Sequence, residues 1–252
     1  MNLDGNRDKY ESPEVVLYYE TQTELQPCEA YIFKKYVKPG LAILDMGVGA
    51  GRTTSFLSNG AQRYVGADYS RAMIDSFGIR YPHLERHQCD ATEMSQFLDS
   101  EFDVVVFSFN GIDVIDSDNA RLRCLSETAR ILKPGGVFIF SSHNAKILAA
   151  WPKLSGARVH QILWRILLSL VKSVRFTFNA FSGVQFSNGE GYIRDPVHGG
   201  MDHYVSTPET MSLQLKSVGF EIMEYVGGHF PEVKSAYLTP WYYYACRKTV
   251  GV

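Results

Sequence analysis

Three carboxylates and three glycines are spaced to hold a small ligand. The stretch LDMGVGAGRTT, residues 44–54, sets Gly47, Gly49 and Gly51 at alternate positions behind Asp45. The run before it, Leu41-Ala42-Ile43-Leu44, is short and apolar and reads as a strand that delivers bare backbone at its end. Glycine in that place lets a ligand or another backbone come close. Asp68 ends a second apolar run about twenty residues on, where a carboxylate commonly grips ribose hydroxyls. Asp90, in Cys89-Asp90-Ala91, follows a third run and could accept a hydrogen bond from an adenine amino group. Any one of these acids could simply cap the next helix. Three at successive strand ends, beside that loop, point to one crevice.

The loop does not suit a dinucleotide. That fingerprint needs G-x-G-x-x-G/A, and Arg52 stands where its last small residue belongs. There is no G-x-x-x-x-G-K-[ST] for a triphosphate either. Asp45 would repel a pyrophosphate, whereas a cationic ligand with an amino group suits it. A nicotinamide-dependent oxidoreductase is thereby weakened.

If the ligand donates a group to a hydroxyl, a base with pKa near neutrality helps most. His143 emerges at the end of a strand in Ser141-Ser142-His143-Asn144, where Asn144 either orients the imidazole or, like His143, bonds loop backbone. His203, next to Asp202, is the second candidate, in the loop DPVHGGMDHYVS that also holds His198 and Asp195. Lone histidines are more often structural than catalytic, and His83, His87 and His160 read as surface or packing residues. His229 follows a late strand and has no clear place relative to the crevice.

The elements that must position these groups alternate. Helices are predicted from Ser12-Pro13-Glu14, over Pro27 to Val37, from Gly51 to Leu57, from Ser70, over Ser117 to Leu132, and from Pro208 behind Thr207 to Gly219. Strands are predicted at Ala42 to Met46, Tyr64 to Ala67, Leu84 to Gln88, Phe102 to Phe107 and Val137 to Phe140, with a hard turn at Lys133-Pro134-Gly135-Gly136. Such alternation means βαβ units on a parallel sheet covered on both faces. A chain of 252 residues, 45% hydrophobic, holds one large core with room for an added lobe. A net charge of −2 gives no electrostatic reason to expect nucleic acid. Cys28, Cys89, Cys124 and Cys246 have no metal-ligand spacing and read as buried thiols. The start, MNLDGNRDKYESPE, is polar and unlike a secretory signal, so a cytoplasmic protein is expected.

These motifs together resemble the class I, Rossmann-like family of S-adenosylmethionine-dependent methyltransferases. LDMGVGAGRTT resembles the family's first motif and YVGADYS its second acidic strand end. CDATEM resembles the adenine-side loop, FDVVVFSFNGID the fourth motif and LKPGGVFIFSSHN the fifth strand. GFEIMEYVG and YYYACRK look like the final strand pair. The resemblance covers roughly residues 40–145 and 219–248. It implies an α/β fold with a seven-stranded, mostly parallel sheet, helices on both faces and one antiparallel strand near the edge. It implies S-adenosylmethionine as cofactor, with Gly47, Gly49 and Gly51 against its methionine half and Asp45 near its amino group. Asp68 would hold the ribose, Tyr69 would pack beside the adenine, and Asp90 and Ala91 would face it. Phe109 and Asn110 would face the sulfonium and the acceptor. Members that methylate planar amide or base nitrogens often carry [DN]-P-P-[YF] here; Phe109-Asn110-Gly111-Ile112 departs from it, against DNA or glutamine methylation.

One methyltransferase domain is therefore expected: an N-terminal helical cap (1–39), a cofactor-binding core (40–145), an inserted acceptor lobe (146–206) and a return to the sheet (207–252). Within the lobe, residues 158–175 form an amphipathic pattern flanked by Arg158, Arg165, Lys172 and Arg175, suited to a lid helix or to peripheral contact with a membrane surface. Residues 176–204 read as short strands or ordered loops lining a pocket. Tyr10, Tyr18 and Tyr19 are expected either to close over the ligand or to pack helix on sheet. The expected activity is methyl transfer to a small molecule, at a hydroxyl of a sugar, glycan intermediate or natural product. The alternatives are N-methylation of a small amine and donor binding without catalysis. No metal is expected, and the motifs leave the oligomeric state open.

Overall fold

The computed structural model describes residues 8–146, 189–195, 201–231 and 239–250. Helix α1 (Pro13–Thr21) starts where proline pre-sets the first turn and the Ser12 hydroxyl accepts the Val15 N–H. Helix α2 (Pro27–Tyr36) has proline in the same place and a capping box between Gln26 and Glu29. Strand β1 (Ala42–Met46) is buried at every position, as a strand covered on both faces must be. The helix expected from Gly51 is shorter: α3 is Thr54–Leu57. Gly47, Gly49 and Gly51 hold φ of +66°, +54° and +87°, which keeps the preceding residues in turns.

Strand β2 (Arg63–Asp68) leads to α4 (Arg71–Arg80), capped by Ser70, and then to β3 (Glu85–Gln88). β3 carries the polar sequence ERHQ because it is the exposed strand at one end of the sheet. Strand β4 (Phe102–Phe107) is followed by a 3-10 turn at Gly111–Val114, α5 (Asp118–Ile131) and β5 (Leu132–Asn144). The hard turn expected at 133–136 lies inside β5 as a register shift: Phe102 faces Leu132, and the next pair is Val104 with Val137. Then come β6 (Glu190–Asp195), β7 (Met201–Ser206), α6 (Pro208–Ser217), β8 (Phe220–Gly227) and β9 (Trp241–Lys248).

β3, β2, β1, β4 and β5 pair in parallel in that order. β9 runs antiparallel to both β5 and β8. The sheet has nine strands among the described residues, where seven were expected. The added pair is the antiparallel hairpin β6–β7, which joins the end of β5 through His143–Val205 and Asn144–Ser206. His203, Tyr204, Val205 and Ser206 of β7 are all buried, so this strand is covered on both faces and extends the core.

Each face of the sheet buries its own apolar set. One holds Leu44, Val105, Leu125, Phe138, Phe140 and Tyr244, with Phe138, Phe140 and Tyr244 stacked at 4.6 and 5.1 Å. The other holds Ile32, Phe33, Ile43, Phe77, Val106 and Tyr243. Each fully buried large side chain is worth about 1.5–3 kcal/mol, so the strand ends are fixed to the core from both sides. All four cysteines are buried free thiols. Among the described residues no helix is long and apolar enough to cross a membrane. The amphipathic segment 158–175, with Arg158, Arg165, Lys172 and Arg175, lies outside the described residues, as do His160 and His198.

Candidate functional site

The three glycines of the loop have different reasons to be bare. A Cβ on Gly47 would lie 2.6 Å from the Phe107 ring, and one on Gly51 would lie 2.5 Å from Tyr81 and 3.1 Å from Phe77. Protein fills those spaces. A Cβ on Gly49 would meet only the Tyr19 ring, at an ordinary contact distance of 3.8 Å, so Gly49 is the one of the three that no protein atom crowds. Asp68 holds it there: its Oδ2 accepts the Gly49 N–H at 2.9 Å and its Oδ1 the Ser70 N–H at 2.9 Å. Asp45 is buried in β1, and its Oδ2 accepts Thr53 Oγ1 at 2.6 Å and the Tyr64 hydroxyl at 2.8 Å. Burial pushes both carboxyls up to about 6. Among the described residues neither makes an ion pair. Two buried carboxylates outside any ion pair, beside an uncrowded glycine, fit a positively charged ligand.

Asp90 is exposed and does what a capping acid does: its Oδ1 accepts both the N–H and the hydroxyl of Thr92, each at 2.8 Å. Ala91 beside it is buried. Across the crevice runs a series of rings, Tyr69 to Tyr10 at 5.8 Å, Tyr10 to Tyr19 at 6.0 Å and Tyr19 to Phe109 at 6.2 Å. The N-terminal segment is pinned there by Glu11, whose carboxylate accepts the N–H groups of Arg71 and Ala72 at the start of α4, at 2.8 and 3.0 Å. A helix N-terminus favours that charge. Tyr18 is half exposed and touches Tyr19 edge-on, outside the series.

Phe109 and Asn110, past the end of β4, hold φ of +56° and +59°. Two successive side-chain-bearing residues in the left-handed region are strained, and such strain persists only where the surroundings impose it. Here they do. The Phe109 N–H donates to the Tyr243 hydroxyl at 3.3 Å and the Asn110 N–H to Ser141 Oγ at 2.7 Å. The Tyr243 hydroxyl in turn donates to Glu29, which is fully buried and takes Arg52 in two bonds of 2.5 and 2.6 Å. The Arg52 guanidinium lies 5.0 Å from the centre of the Phe109 ring. Glu29, Arg52 and Tyr243 thus tie the glycine loop, α2 and the strained turn together; from its spacing alone Arg52 only argues against a dinucleotide.

His143 and His203 come together at the end of β5, their rings 5.2 Å apart and edge to face. His203 is buried and His143 is about a quarter exposed, its side chain 23% accessible. Asp113 orients His143, and of the two roles open to Asn144 the structure has the backbone-bonding one. Asp113 Oδ2 accepts both Nδ1–H and the backbone N–H of His143, each at 2.7 Å. Asn144 donates instead to the Thr239 carbonyl at 2.8 Å, because successive strand residues point to opposite sides. A carboxylate can only accept, so the ring proton sits on Nδ1 and the Nε2 lone pair takes the Asn110 amide N–H at 3.3 Å. With Nδ1 held by a buried acid and Nε2 an acceptor, Nε2 is the nitrogen that can take up a proton. Asp113 was readable only as an acid inside the NGID stretch, since its partner is thirty positions away.

Residues 44–140 match a methyltransferase domain family. A probable S-adenosylmethionine-dependent methyltransferase of Mycolicibacterium smegmatis is 31% identical over 105 residues, 42% of this chain and 39% of that protein. The chain spans less than half the length of the first curated relatives it matches, 39%, 45% and 48% of them. The crystal structure of a Methanosarcina mazei S-adenosylmethionine-dependent methyltransferase superposes with a TM-score of 0.62 at 19% identity, over 90% of this chain and all of that one. A Burkholderia thailandensis 1,6-didemethyltoxoflavin N1-methyltransferase, solved with that substrate and S-adenosylhomocysteine, gives a TM-score of 0.63 at 14% identity over 98% and 87%. Residues 44–140 are thus similar to a methyltransferase domain, and the chain has the fold of the S-adenosylmethionine-dependent methyltransferase structures.

Proposed function

We propose that this protein transfers the methyl group of S-adenosylmethionine to a hydroxyl of a small molecule, a sugar, glycan intermediate or natural product. The observation that carries the reading is the His143–Asp113 pair at the carboxyl end of β5, with Nε2 turned toward Asn110 in the crevice that Gly49 and Asp68 frame. Asp68 and Asp45 would balance the cationic donor, Asp68 would take the ribose hydroxyls, and Gly49 would admit the methionine half. Tyr69, Ala91 and Asp90 would border the adenine. When bound, the donor supplies an electrophilic methyl on a positively charged sulfur.

The chain's own work is positioning and proton removal. Phe109 and Asn110 fix the edge of the crevice, and holding reactants in line is the largest lever available to such an enzyme. The Asn110 amide keeps the Nε2 lone pair of His143 oriented until an acceptor hydroxyl replaces it. His143 then takes the hydroxyl proton on Nε2, and Asp113 stabilises the imidazolium. His203, edge-on to His143, serves as the alternative base from the inserted hairpin. Tyr10 and Tyr19 cover the donor and limit water. The protein is read as a cytoplasmic enzyme with no nucleic-acid partner.

N-methylation of a small amine is the second reading, favoured by the likeness to the N1-methyltransferase structure. A methyl-transfer screen with pooled hydroxyl and amine acceptors, read by mass, separates the two. Mass gain on hydroxyl acceptors supports the first. Gain confined to amines supports the second, and binding of the donor with no transfer to any acceptor would leave a binding protein.

A further inference from the structure

Behind the His143–Asp113 pair lies a cation that the proposed function does not use. Arg121, on α5, is 1% exposed. Its Nη1 donates to the Ile112 carbonyl at 2.5 Å and to Asp113 Oδ1 at 3.3 Å. Its guanidinium lies 3.6 Å from the centre of the Tyr204 ring, and its Nε and Nη2 are buried without a hydrogen-bond partner. Tyr204 belongs to the hairpin β6–β7, and its hydroxyl is held by Glu190 and by Gln214 of α6. A buried arginine that gives up two of its donors is expensive. A surface position or an apolar residue would have avoided that cost.

We infer that Arg121 is a positioning residue: clamped under Tyr204, it fixes the charge and place of Asp113 and thereby sets the proton affinity of His143. Asp113 divides its oxygens between the two neighbours. Oδ1 takes Arg121 and the Ser142 hydroxyl, the latter at 2.7 Å, and Oδ2 takes both N–H groups of His143. With Arg121 charged, Asp113 is compensated and pulls less on the imidazole proton. His203 on β7 also packs edge-on against the His143 ring, 5.2 Å between centres. The hairpin added to the sheet thus has a chemical consequence: its Tyr204 ring keeps the cation in place under the acid.

The inference rests on the reading of His143 as base for its catalytic meaning, but not for its test. The imidazole resonances of His143 are followed by NMR against pH in the full-length protein without donor or acceptor, assigned by their loss in His143→Ala. In Arg121→Met the midpoint should rise by about one unit, a tenfold gain in proton affinity. Arg121→Lys, which keeps the charge, should stay near wild type, and Asp113→Asn should lower the midpoint. A midpoint unmoved in Arg121→Met, with Asp113→Asn still lowering it, would make Arg121 a structural ion pair and overturn the inference. Should Arg121→Met fail to fold, the Asp113→Asn/Arg121→Met double variant, which removes the pair together, is compared with Asp113→Asn. Equal midpoints support action through Asp113, and a one-unit difference contradicts it. If hydroxyl transfer is later shown, the acid limb of kcat/KM should move with the midpoint; absence of transfer leaves the NMR result standing on its own.

Discussion

Asp68 Oδ2 accepts the Gly49 N–H at 2.9 Å, so the acid that ends β2 holds the loop that ends β1. The same carboxylate is thus both scaffold and candidate ribose ligand. Charge-assisted hydrogen bonds are worth roughly 1.5–3 kcal/mol each. Asp68→Ala should therefore weaken donor binding at least tenfold in calorimetry and speed hydrogen exchange at the Gly49 amide. Faster exchange with unchanged affinity would confine Asp68 to holding the loop.

The glycines should separate by function. Gly51→Ala forces a Cβ to within 2.5 Å of Tyr81 at a φ of +87°, so stability should fall by about 1–3 kcal/mol in urea denaturation. Gly49→Ala meets only the Tyr19 ring, at 3.8 Å, and should cost about 1 kcal/mol from its left-handed backbone, while donor binding drops sharply. Equal stability losses with donor binding intact in Gly49→Ala would move the ligand elsewhere.

Asp45 is raised from its ordinary value to about 6 by burial. The folded protein therefore binds more protons than the unfolded chain between roughly pH 4 and 6, and this group's contribution to stability is lost as pH rises through that window. Its full span is about 2–3 kcal/mol for a two-unit shift. Asp45→Asn lacks the titration, so it should gain stability relative to wild type between pH 4.5 and 7 in urea denaturation. Binding of a cationic donor to wild type should strengthen over the same interval. A stability difference that is flat with pH would contradict the assignment.

Glu29 is fully buried between Arg52 and Tyr243. Removing it leaves Arg52 without its partner, and breaking a buried pair costs about 3–5 kcal/mol. Glu29→Ala should lose that much stability by urea denaturation. It should also weaken donor binding, because the Phe109–Asn110 turn is tied to the same carboxylate. A loss under 1 kcal/mol would show that the network is not structural.

His143→Ala should lower turnover by about 10²–10⁴-fold with donor affinity kept. His203→Ala should do so instead if the hairpin supplies the base. If both variants keep near-normal turnover from pH 6 to 9, no histidine is the base.

What could be read from the sequence was what is local. Gly47-Val48-Gly49-Ala50-Gly51 after an apolar run announces a backbone loop at a strand end, because both signals lie within ten residues. Asp68 was placed at a crevice by the same logic. Asp113 and Arg121 were invisible: one lies on a 3-10 turn and the other on α5, and only the sheet brings them to His143. The separate duties of the three glycines depend on Phe107, Phe77 and Tyr81, which no spacing rule connects to them. β6 and β7 sit in an aromatic, turn-rich stretch whose pairing is set by the end of β5, so the count of nine strands could not be had from periodicity.

The most direct measurement is a calorimetric titration of the full chain with S-adenosylmethionine and, separately, with reduced nicotinamide dinucleotide. The account predicts one site for S-adenosylmethionine, weakened in Asp68→Ala and in Gly49→Ala, and no heat from the dinucleotide. Binding of the dinucleotide without S-adenosylmethionine, or of neither, would contradict it.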